Sequence, residues 1–260
     1  MEHLLGSWPK GFCSSSHLLL FLDYDGTLTP IVDRPEAAVL KEEIRRLLHR
    51  LSQDERFTLG IISGRKLSEV KELVGIPKII YAGNHGLQIE IKGERFVPQG
   101  ADEKKPVLAK LSELLRKNGE KIRGFLLEDK GLSLTLHYRQ VQSEDIPKVK
   151  DIFKEAVKPF LGSIQVREGK CVLEARPAID WNKGKAVSWI IDKLKRPGLP
   201  VYLGDDLTDE DAFRVVNRIG GISVFVGPPT PDSLAAYYLS DPKEVERFLS
   251  GISARILGRA

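Results

Sequence analysis

Two aspartates stand two positions apart directly after an apolar run. The run LLLFL leads into Asp23-Tyr24-Asp25-Gly26. Alternate residues of an extended chain project to the same side, so Asp23 and Asp25 could act on one target, one as a nucleophile and the other as a proton carrier. An Asx-rich turn that closes a strand has the same pattern, and so does a calcium loop with alternating aspartates. The motif alone leaves these interpretations open.

A second acidic group follows another apolar run near the end of the chain. Asp205 and Asp206 follow residues 200–203 after a single glycine, and Asp209 comes shortly afterwards. Thr208 could cap the next helix, but a helix cap does not account for the first two aspartates. Several carboxylates in one place repel each other unless a cation neutralises them, and Mg²⁺ prefers a few hard oxygen ligands. The sequence therefore favours a magnesium site here.

Strand patterns alternate with helical patterns in the first and last parts of the chain. The predicted strands are residues 18–22, 57–62, 78–82, 200–203 and 222–226, and the predicted helices are residues 40–51, 66–74, 183–194 and 209–218. This alternation is typical of a doubly wound, Rossmann-like α/β core around a parallel sheet, whose functional residues collect at the carboxyl ends of the strands. Ser63, Arg65, Asn84 and His85 follow two of these strands, so we expect them at the same edge as the acidic groups.

The middle of the chain has a different pattern, in which two helix–hairpin units follow each other. The helices are predicted at 103–117 and 146–160, and the strand pairs at 125–127 with 132–138 and 164–166 with 172–175. A small antiparallel sheet with helices on one face is typical of an α+β module. We therefore expect a cap domain at 92–177, inserted into a core domain formed by 1–91 and 178–260. Such an insertion can act as a lid that selects substrate and excludes water.

The composition favours a globular intracellular protein over several other classes. The 260 residues, 42% of them hydrophobic, can bury a sizeable core. The 40 basic and 36 acidic residues are mixed along the chain, without a basic tract of the kind that follows a nucleic-acid backbone. Cys13 and Cys171 make neither a metal pair nor a disulfide framework, and the apolar run near the N-terminus is too short to span a bilayer. We expect a cytoplasmic monomer that binds neither nucleic acid nor a membrane.

Four motifs, taken in order, resemble those of the haloacid dehalogenase superfamily of phosphatases. They are Asp23-x-Asp25, Ser63 after a strand, Lys183 at the start of a helix, and the group GDD with Asp209. More narrowly, the segments LDYDGTL, ISGR, GNHG and GDDLTDE closely resemble the trehalose-6-phosphate phosphatases. The resemblance covers roughly residues 18–230, including the expected cap.

The resemblance implies a covalent mechanism that agrees with the chemistry of the motifs. Asp23 would attack phosphorus and form an aspartyl-phosphate, and Asp25 would protonate the departing sugar oxygen and then deprotonate water. Thr27 and Ser63 would donate hydrogen bonds to the phosphoryl oxygens, and Lys183 would supply a fixed positive charge. A magnesium ion would offset the phosphoryl charge. Its candidate ligands are Asp23, Asp25 through its backbone carbonyl, Asp205, Asp206 and Asp209.

The same resemblance implies that the cap recognises a sugar. The residues that match the disaccharide-binding positions are Glu128, Lys130, Arg139, Lys170 and Glu174. Without the resemblance these would be interpreted as exposed charges on strand edges. Arg65, Asn84 and His85 could reach the phosphate or the sugar from the core.

Three functional hypotheses follow. The first is magnesium-dependent hydrolysis of trehalose 6-phosphate to trehalose and phosphate. The second is a related enzyme that acts on another sugar phosphate, such as sucrose, mannosylglycerate or glucosylglycerol phosphate, or a mutase. The third is a non-catalytic sugar-phosphate-binding or partner-regulating domain. The intact set of Asp23, Asp25, Lys183 and Asp205 argues against the third hypothesis.

Overall fold

A computed structural model describes most of the chain. The described residues are 1–9, 11–12, 15–32, 34–169 and 171–254. They form two compact units, of which the first comprises Met1–Phe96 with Trp181–Ala260 and the second Val97–Asp180. Cys13 and Lys170 lie outside the described residues.

Strands and helices are numbered along the chain. The strands are β1 Glu2–His3, β2 Leu18–Leu22, β3 Phe57–Ile62, β4 Ile80–Gly83, β5 Gln88–Ile91, β6 Glu94–Phe96, β7 Leu126–Asp129, β8 Leu134–His137, β9 Ile164–Gly169, β10 Val172–Pro177, β11 Leu199–Gly204, β12 Ile222–Val226 and β13 Tyr237–Leu239. The helices are α1 Glu42–Ser52, α2 Leu67–Val74, α3 Lys105–Gly119, α4 Ile146–Val157, α5 Lys183–Leu194, α6 Glu210–Arg218 and α7 Pro242–Ile252.

The first unit is built on one large sheet. Within the described residues its nine strands have the order β1-β13-β12-β11-β2-β3-β4-β5-β6. Neighbouring strands from β1 to β4 in this order are parallel, and β5 and β6 continue the sheet as an antiparallel hairpin. Because this hairpin belongs to the large sheet, the first unit continues to Phe96, beyond the boundary at 91 that the sequence suggests.

The central strand β2 is buried on both faces, which explains its uninterrupted apolar sequence. Leu18, Leu20 and Leu22 belong to one core cluster with buried residues of α1, α2 and α7. Leu19 and Phe21 belong to another with buried residues of α5 and α6. Helices therefore cover both faces of a mostly parallel sheet, and the predicted doubly wound α/β core is confirmed.

The second unit is a small α+β module. Its four strands are antiparallel in the order β7-β8-β10-β9. Alternate residues, among them Leu134, Leu136, Leu173 and Ala175, pack with α3 and α4 in a separate core cluster. The intervening residues of these strands are largely polar or charged and lie on the other face of the sheet. None of the described helices in either unit has both the length and the apolar character needed to cross a membrane.

Candidate active site

The carboxyl edge of the large sheet brings the two acidic groups together. β2 lies between β11 and β3, so Asp23, Asp205 and Ser63 follow three neighbouring parallel strands. The backbone N–H of Asp23 donates to the carbonyl of Leu203 at 2.9 Å, which continues the ladder into the motif. The predicted convergence of these residues at one edge is confirmed.

Lys183 connects two of the aspartates by ion pairs. Its Nζ donates to Asp23 Oδ1 at 2.8 Å and to Asp209 Oδ1 at 2.7 Å. The side chain of Asn182 caps α5 by accepting from the backbone N–H of Lys185 at 2.9 Å, which places Lys183 in the first helical position. Burial opposes the charge of this lysine, but the carboxylates of Asp209 and Asp23 raise its pKa above the ordinary value. It is thus a buried ammonium group whose charged form the two carboxylates favour.

Three carboxylates, those of Asp23 and Asp209 buried and that of Asp205 half-buried, form a compact cluster at this edge. One oxygen from each of Asp23, Asp205 and Asp209 lies within 4.8 Å of the others. Burial is the main cause that raises the pKa of Asp23 to about 8 and that of Asp205 to about 9. The charge of Asp209 also raises the pKa of both groups, the charge of Asp23 raises that of Asp205, and the charge of Lys183 lowers both. Asp205 Oδ1 is buried and has no hydrogen-bond partner in the described part of the chain. An unpartnered oxygen among crowded acids is the donor chemistry that fits a divalent cation.

Asp206 and Asp209, the two other predicted metal ligands of the second acidic group, accept hydrogen bonds from the protein. Asp206 is exposed, and its side chain accepts from the backbone N–H of Leu207 at 2.6 Å as a helix cap. Asp209 Oδ2 accepts from the backbone N–H groups of Asp205 at 3.2 Å and Asp206 at 3.1 Å. Its Oδ1 accepts from Lys183 and from the hydroxyl of Tyr202 at 2.6 Å. Asp209 therefore orders the loop that carries Asp205.

Asp25 has different surroundings from Asp23. Its carboxylate accepts two hydrogen bonds from Arg65, from Nε at 2.7 Å and from Nη2 at 2.7 Å. Arg65 also donates to the carboxylate of Glu69 and to the carbonyl of Pro35, the latter at 2.8 Å, and its guanidinium lies 5.3 Å from the ring centroid of Tyr24. Arg65, which the sequence predicts to reach the substrate, is thus bound to Asp25, the predicted acid and base.

The two predicted hydroxyl donors are buried at the strand ends. Thr27 Oγ1 has no hydrogen-bond partner among the described residues. Ser63 Oγ accepts from the backbone N–H of Arg65 at 3.1 Å, which leaves its own proton available to donate. Gly26 precedes Thr27 with φ +80°, and a Cβ at this glycine would overlap the carboxylate of Asp205. Only glycine allows the two acidic loops to approach this closely.

The loop with Asn84 and His85 is joined to the loop with Ser63. Asn84 and His85 have φ values of 51° and 56°, a left-handed conformation that is uncommon for residues other than glycine. The N–H of His85 donates to Ser63 O at 2.9 Å, and the N–H of Asn84 donates to Arg65 O at 2.7 Å. The ring of His85 lies so close to Gly64 that a Cβ there would clash with it. These contacts hold the two loops as one assembly.

In the second unit, Glu128 lies next to Lys130 and His137. His137 Nε2 is 3.0 Å from Glu128 Oε2, and Lys130 Nζ is 3.7 Å from the same oxygen. The strand register places Thr135 directly opposite Glu128 on one side and Glu174 on the other. Together these side chains form a polar row across three strands.

Glu174 is fixed by a neighbour on its own strand. Arg176 Nε donates to Glu174 Oε2 at 2.7 Å, and Nη2 of the same arginine donates to that oxygen as well. Arg139 is exposed just after β8, and Lys170 lies outside the described residues. Two of the five predicted sugar-binding residues, Glu128 and Glu174, therefore lie in one row of the sheet.

Sequence reasoning missed several side chains that contact the predicted ones. These are Glu69, Thr135, His137, Arg176 and Tyr202. Three of them lie two residues from a predicted residue or opposite one across the sheet, so strand periodicity could have indicated them. Tyr202 lies in an apolar strand, where the pattern indicates only core packing.

Comparisons with known proteins agree with this geometry. The family model described as Trehalose-phosphatase matches residues 21–243. A trehalose 6-phosphate phosphatase of Zea mays is 36% identical, and the alignment covers 89% of this chain and 68% of that protein. Trehalose-phosphate phosphatase B of Arabidopsis thaliana is 34% identical, with 89% and 65% covered. The chain thus spans about two thirds of the length of these relatives.

A solved structure has the same fold over nearly the whole chain. The C-terminal domain of the trehalose-6-phosphate phosphatase of C. albicans is 28% identical and superposes with a TM-score of 0.80, covering 93% of each chain. This similarity extends across both units, and the family match includes every motif of the acidic edge. The chain therefore belongs to the trehalose-phosphatase family.

Proposed function

We propose that this protein is a magnesium-dependent phosphatase that hydrolyses trehalose 6-phosphate through an aspartyl-phosphate on Asp23. The observation that carries the proposal is the buried contact of Lys183 with Asp23, beside Asp205, at the carboxyl edge of the sheet. The names of the family and of its relatives support the substrate. The polar row of the second unit supports recognition of a polyhydroxy group.

In the first step, a carboxylate oxygen of Asp23 attacks phosphorus, and the bond from phosphorus to the sugar oxygen breaks. Asp25 gives a proton to the departing oxygen, which becomes a hydroxyl of trehalose. The hydroxyls of Thr27 and Ser63 donate to the phosphoryl oxygens, and the ammonium of Lys183 stabilises their charge. Arg65 acts on the substrate through Asp25, whose carboxylate it binds.

In the second step, water attacks the phosphorus of the aspartyl-phosphate. Asp25 takes a proton from this water, inorganic phosphate departs, and the carboxylate of Asp23 is restored. One side chain therefore serves as acid and then as base, and both steps use the same hydrogen-bond donors. Displacement through a covalent intermediate divides a difficult hydrolysis into two easier reactions.

The acidic cluster fits a magnesium ion held by Asp23 and Asp205, with the backbone carbonyl of Asp25 as a further ligand. When bound, the ion neutralises negative charge on the phosphoryl oxygens. Asp209 supports this site through its hydrogen bonds to the backbone of Asp205 and Asp206. Since the pKa of both Asp23 and Asp205 is raised by burial, the cation would also keep these carboxylates ionised.

Sugar recognition is proposed for the polar face of the second unit. Glu128 and Glu174 offer carboxylates to sugar hydroxyls, and Lys130, Arg139 and Lys170 offer donors. Asn84 and His85 are proposed to bind substrate from the first unit. A cytoplasmic location and a monomeric state, expected from the sequence, stay predictions.

Phosphate release from a panel of substrates tests the proposed function. We expect rapid release from trehalose 6-phosphate, slow release from glucose 6-phosphate and sucrose 6-phosphate, and loss of activity when EDTA removes Mg²⁺. Asp23→Asn, which keeps the shape of the side chain, should reduce turnover by at least about 10³-fold without lowering the unfolding temperature. Equal rates for the three sugars would refute the assigned substrate, and substantial turnover by Asp23→Asn would refute the covalent role.

A further inference from the structure

Tyr202 is a buried phenol that the proposed mechanism does not use. It lies in β11, is fully inaccessible to solvent, and packs edge to face against Phe213 with ring centroids 5.8 Å apart. Its hydroxyl donates to Asp209 Oδ1 at 2.6 Å. Two other buried tyrosines of the same unit, Tyr24 and Tyr81, donate instead to backbone carbonyls. Tyr202 differs from them because its hydroxyl is bound to a charged group of the active site.

Asp209 receives four hydrogen bonds, two at each carboxylate oxygen. Oδ2 accepts from the backbone N–H groups of Asp205 and Asp206. Oδ1 accepts from Tyr202 and from Lys183. Two bonds per oxygen fill the usual acceptor capacity of a carboxylate in its plane. Asp209 is accordingly suited to holding other groups in place rather than to coordinating a metal ion itself.

We propose that Tyr202 is a positioning residue of the phosphatase reaction, which acts through Asp209 to hold the ammonium of Lys183 beside Asp23. The inference rests on the proposed function, because it assigns Lys183 to the phosphoryl group. It goes further in naming Tyr202 and in giving Asp209 a hydrogen-bonding role in place of a metal-binding one.

The physical reason is competition between two carboxylates for one ammonium group. Lys183 Nζ lies 2.8 Å from Asp23 Oδ1 and 2.7 Å from Asp209 Oδ1, so a small change in either partner moves it. The hydroxyl of Tyr202 offsets part of the negative charge on Asp209 Oδ1. Without it, the ammonium is drawn towards Asp209 and away from the place where phosphoryl charge develops. Partners of this kind typically contribute about 10- to 100-fold to the function of the group they orient.

The test compares Tyr202→Phe with Tyr81→Phe. Both changes remove one buried hydroxyl, but Tyr81 donates to the carbonyl of Ile76 at 2.7 Å, remote from the acidic edge. We expect Tyr202→Phe to lower kcat about tenfold for trehalose 6-phosphate and for p-nitrophenyl phosphate, with KM changed less than twofold. Calorimetry should show about tenfold weaker binding of beryllofluoride in the presence of Mg²⁺, and an unchanged affinity for Mg²⁺ alone. Tyr81→Phe should alter none of these quantities.

Other results would overturn the inference. If Tyr202→Phe has the same kcat and the same beryllofluoride affinity as the unaltered chain, Tyr202 does not position Lys183. A loss of Mg²⁺ affinity in Tyr202→Phe would mean that Asp209 acts on the metal rather than on Lys183. If Tyr202→Phe does not fold, Asp209→Asn examines the same bond from the acceptor side. Beryllofluoride binding measured at saturating Mg²⁺ should again weaken, and an affinity equal to that of the unaltered chain would overturn the inference.

The measurements also separate this inference from the proposed function. If the unaltered chain hydrolyses p-nitrophenyl phosphate but not trehalose 6-phosphate, the assigned sugar is wrong while the Tyr202 comparison stands. If it hydrolyses neither substrate, the proposed function fails, and the beryllofluoride titration alone decides whether Tyr202 positions Lys183.

Discussion

Asp23 and Asp25 are two residues apart, yet their carboxylates have different neighbours. Asp23 lies among Asp205, Asp209 and Lys183, and burial raises its pKa to about 8. Asp25 is partly exposed and is bound by Arg65 through two hydrogen bonds. Two carboxylates of one motif can serve as nucleophile and proton carrier when their surroundings separate them in this way. The spacing in the sequence indicates that they share a target, but it does not indicate this difference.

Replacing the bidentate partner of Asp25 is expected to affect substrates according to their leaving groups. Arg65→Lys cannot form two parallel hydrogen bonds, so Asp25 loses its fixed orientation. We expect kcat/KM, which reports the first step and not the hydrolysis of the shared intermediate, to fall about tenfold for trehalose 6-phosphate, because its sugar oxygen needs a proton. For p-nitrophenyl phosphate, whose leaving group needs none, we expect less than a threefold loss.

The chain offers a matched control for this change. Arg56 makes a similar bidentate contact with Asp54, with Nε to Oδ1 at 2.9 Å and Nη2 to Oδ2 at 2.8 Å. Arg56→Lys should leave kcat/KM for both substrates unchanged. Equal losses on both substrates in Arg65→Lys would show that Arg65 acts on the phosphoryl group and not through Asp25.

At the scale of elements, the long central segments agree with the sequence patterns, and the short peripheral ones do not. The prediction of β2, β3, β12 and α5 is confirmed to the residue, because buried parallel strands and capped amphipathic helices have strong patterns. β1, β5, β6 and β13 are two to four residues long, too short for periodicity to indicate them. They are specified instead by the neighbouring strands with which they pair.

The same distinction applies to the candidate site. The carboxyl-edge rule alone predicts Asp23, Ser63 and Asp205 at one edge of the sheet, but it does not predict that their strands are neighbours. The contacts of Arg65 with Asp25 and of Tyr202 with Asp209 could not be predicted, because they depend on side-chain directions set by the packing of several elements. The main elements and the edge that carries the site are thus readable from this sequence, whereas the pairing of its polar side chains is not.

Substitution of Gly26 tests how closely the two acidic loops approach each other. Gly26→Ala should abolish activity, since its Cβ would overlap the carboxylate of Asp205. Gly93 has a similar φ of +85° in the β5–β6 turn, with nothing within 4 Å of a Cβ added there. Gly93→Ala therefore carries only the backbone cost, about 1 kcal/mol, and should retain full activity. Chemical denaturation measures the stability of the two variants, and phosphate release measures their activity. An active Gly26→Ala variant would contradict the close approach of the two loops.

At the scale of the whole molecule, the segment before β2 is part of the first unit. β1 pairs with β13, and Trp8 and Phe12 pack against Phe248 of α7 with ring centroids 5.6 and 5.7 Å from it. The family match begins only at residue 21. β1 and these two aromatic residues therefore lie outside the range that the family model matches.

Because His17 is buried, we expect the stability of this unit to depend on pH. It is buried, with Nδ1 donating to Glu55 O at 2.8 Å and Nε2 2.9 Å from Thr58 Oγ1. Burial, and then the charge of Arg196, lower its pKa below the ordinary 6.5. A lowered histidine pKa means that the folded state binds this proton less readily than the unfolded state. Neutral His17 thus contributes fully to the free energy of unfolding above about pH 6.5. This contribution is lost as the pH falls towards the pKa of His17 in the folded state.

Urea unfolding at pH 7.5 and pH 5.5 checks this sign. The unaltered chain should lose more unfolding free energy between these pH values than His17→Gln does. His49→Gln, at an exposed position on α1, should behave like the unaltered chain. An identical pH dependence in His17→Gln and the unaltered chain would remove His17 as a source of the effect.

The position of β2 between β3 and β11 also determines when the active site can assemble. β3 follows β2 closely along the chain, but Lys183 lies 160 residues after Asp23. During synthesis Asp23 leaves the ribosome long before the lysine that pairs with it, and closing so long a loop is a slow step in folding. The carboxylates of Asp205 and Asp209 can meet Asp23 only after this loop has closed. The catalytic edge is complete only when the chain up to Asp209 has folded, and β12, β13 and α7 of the same unit follow it in the sequence.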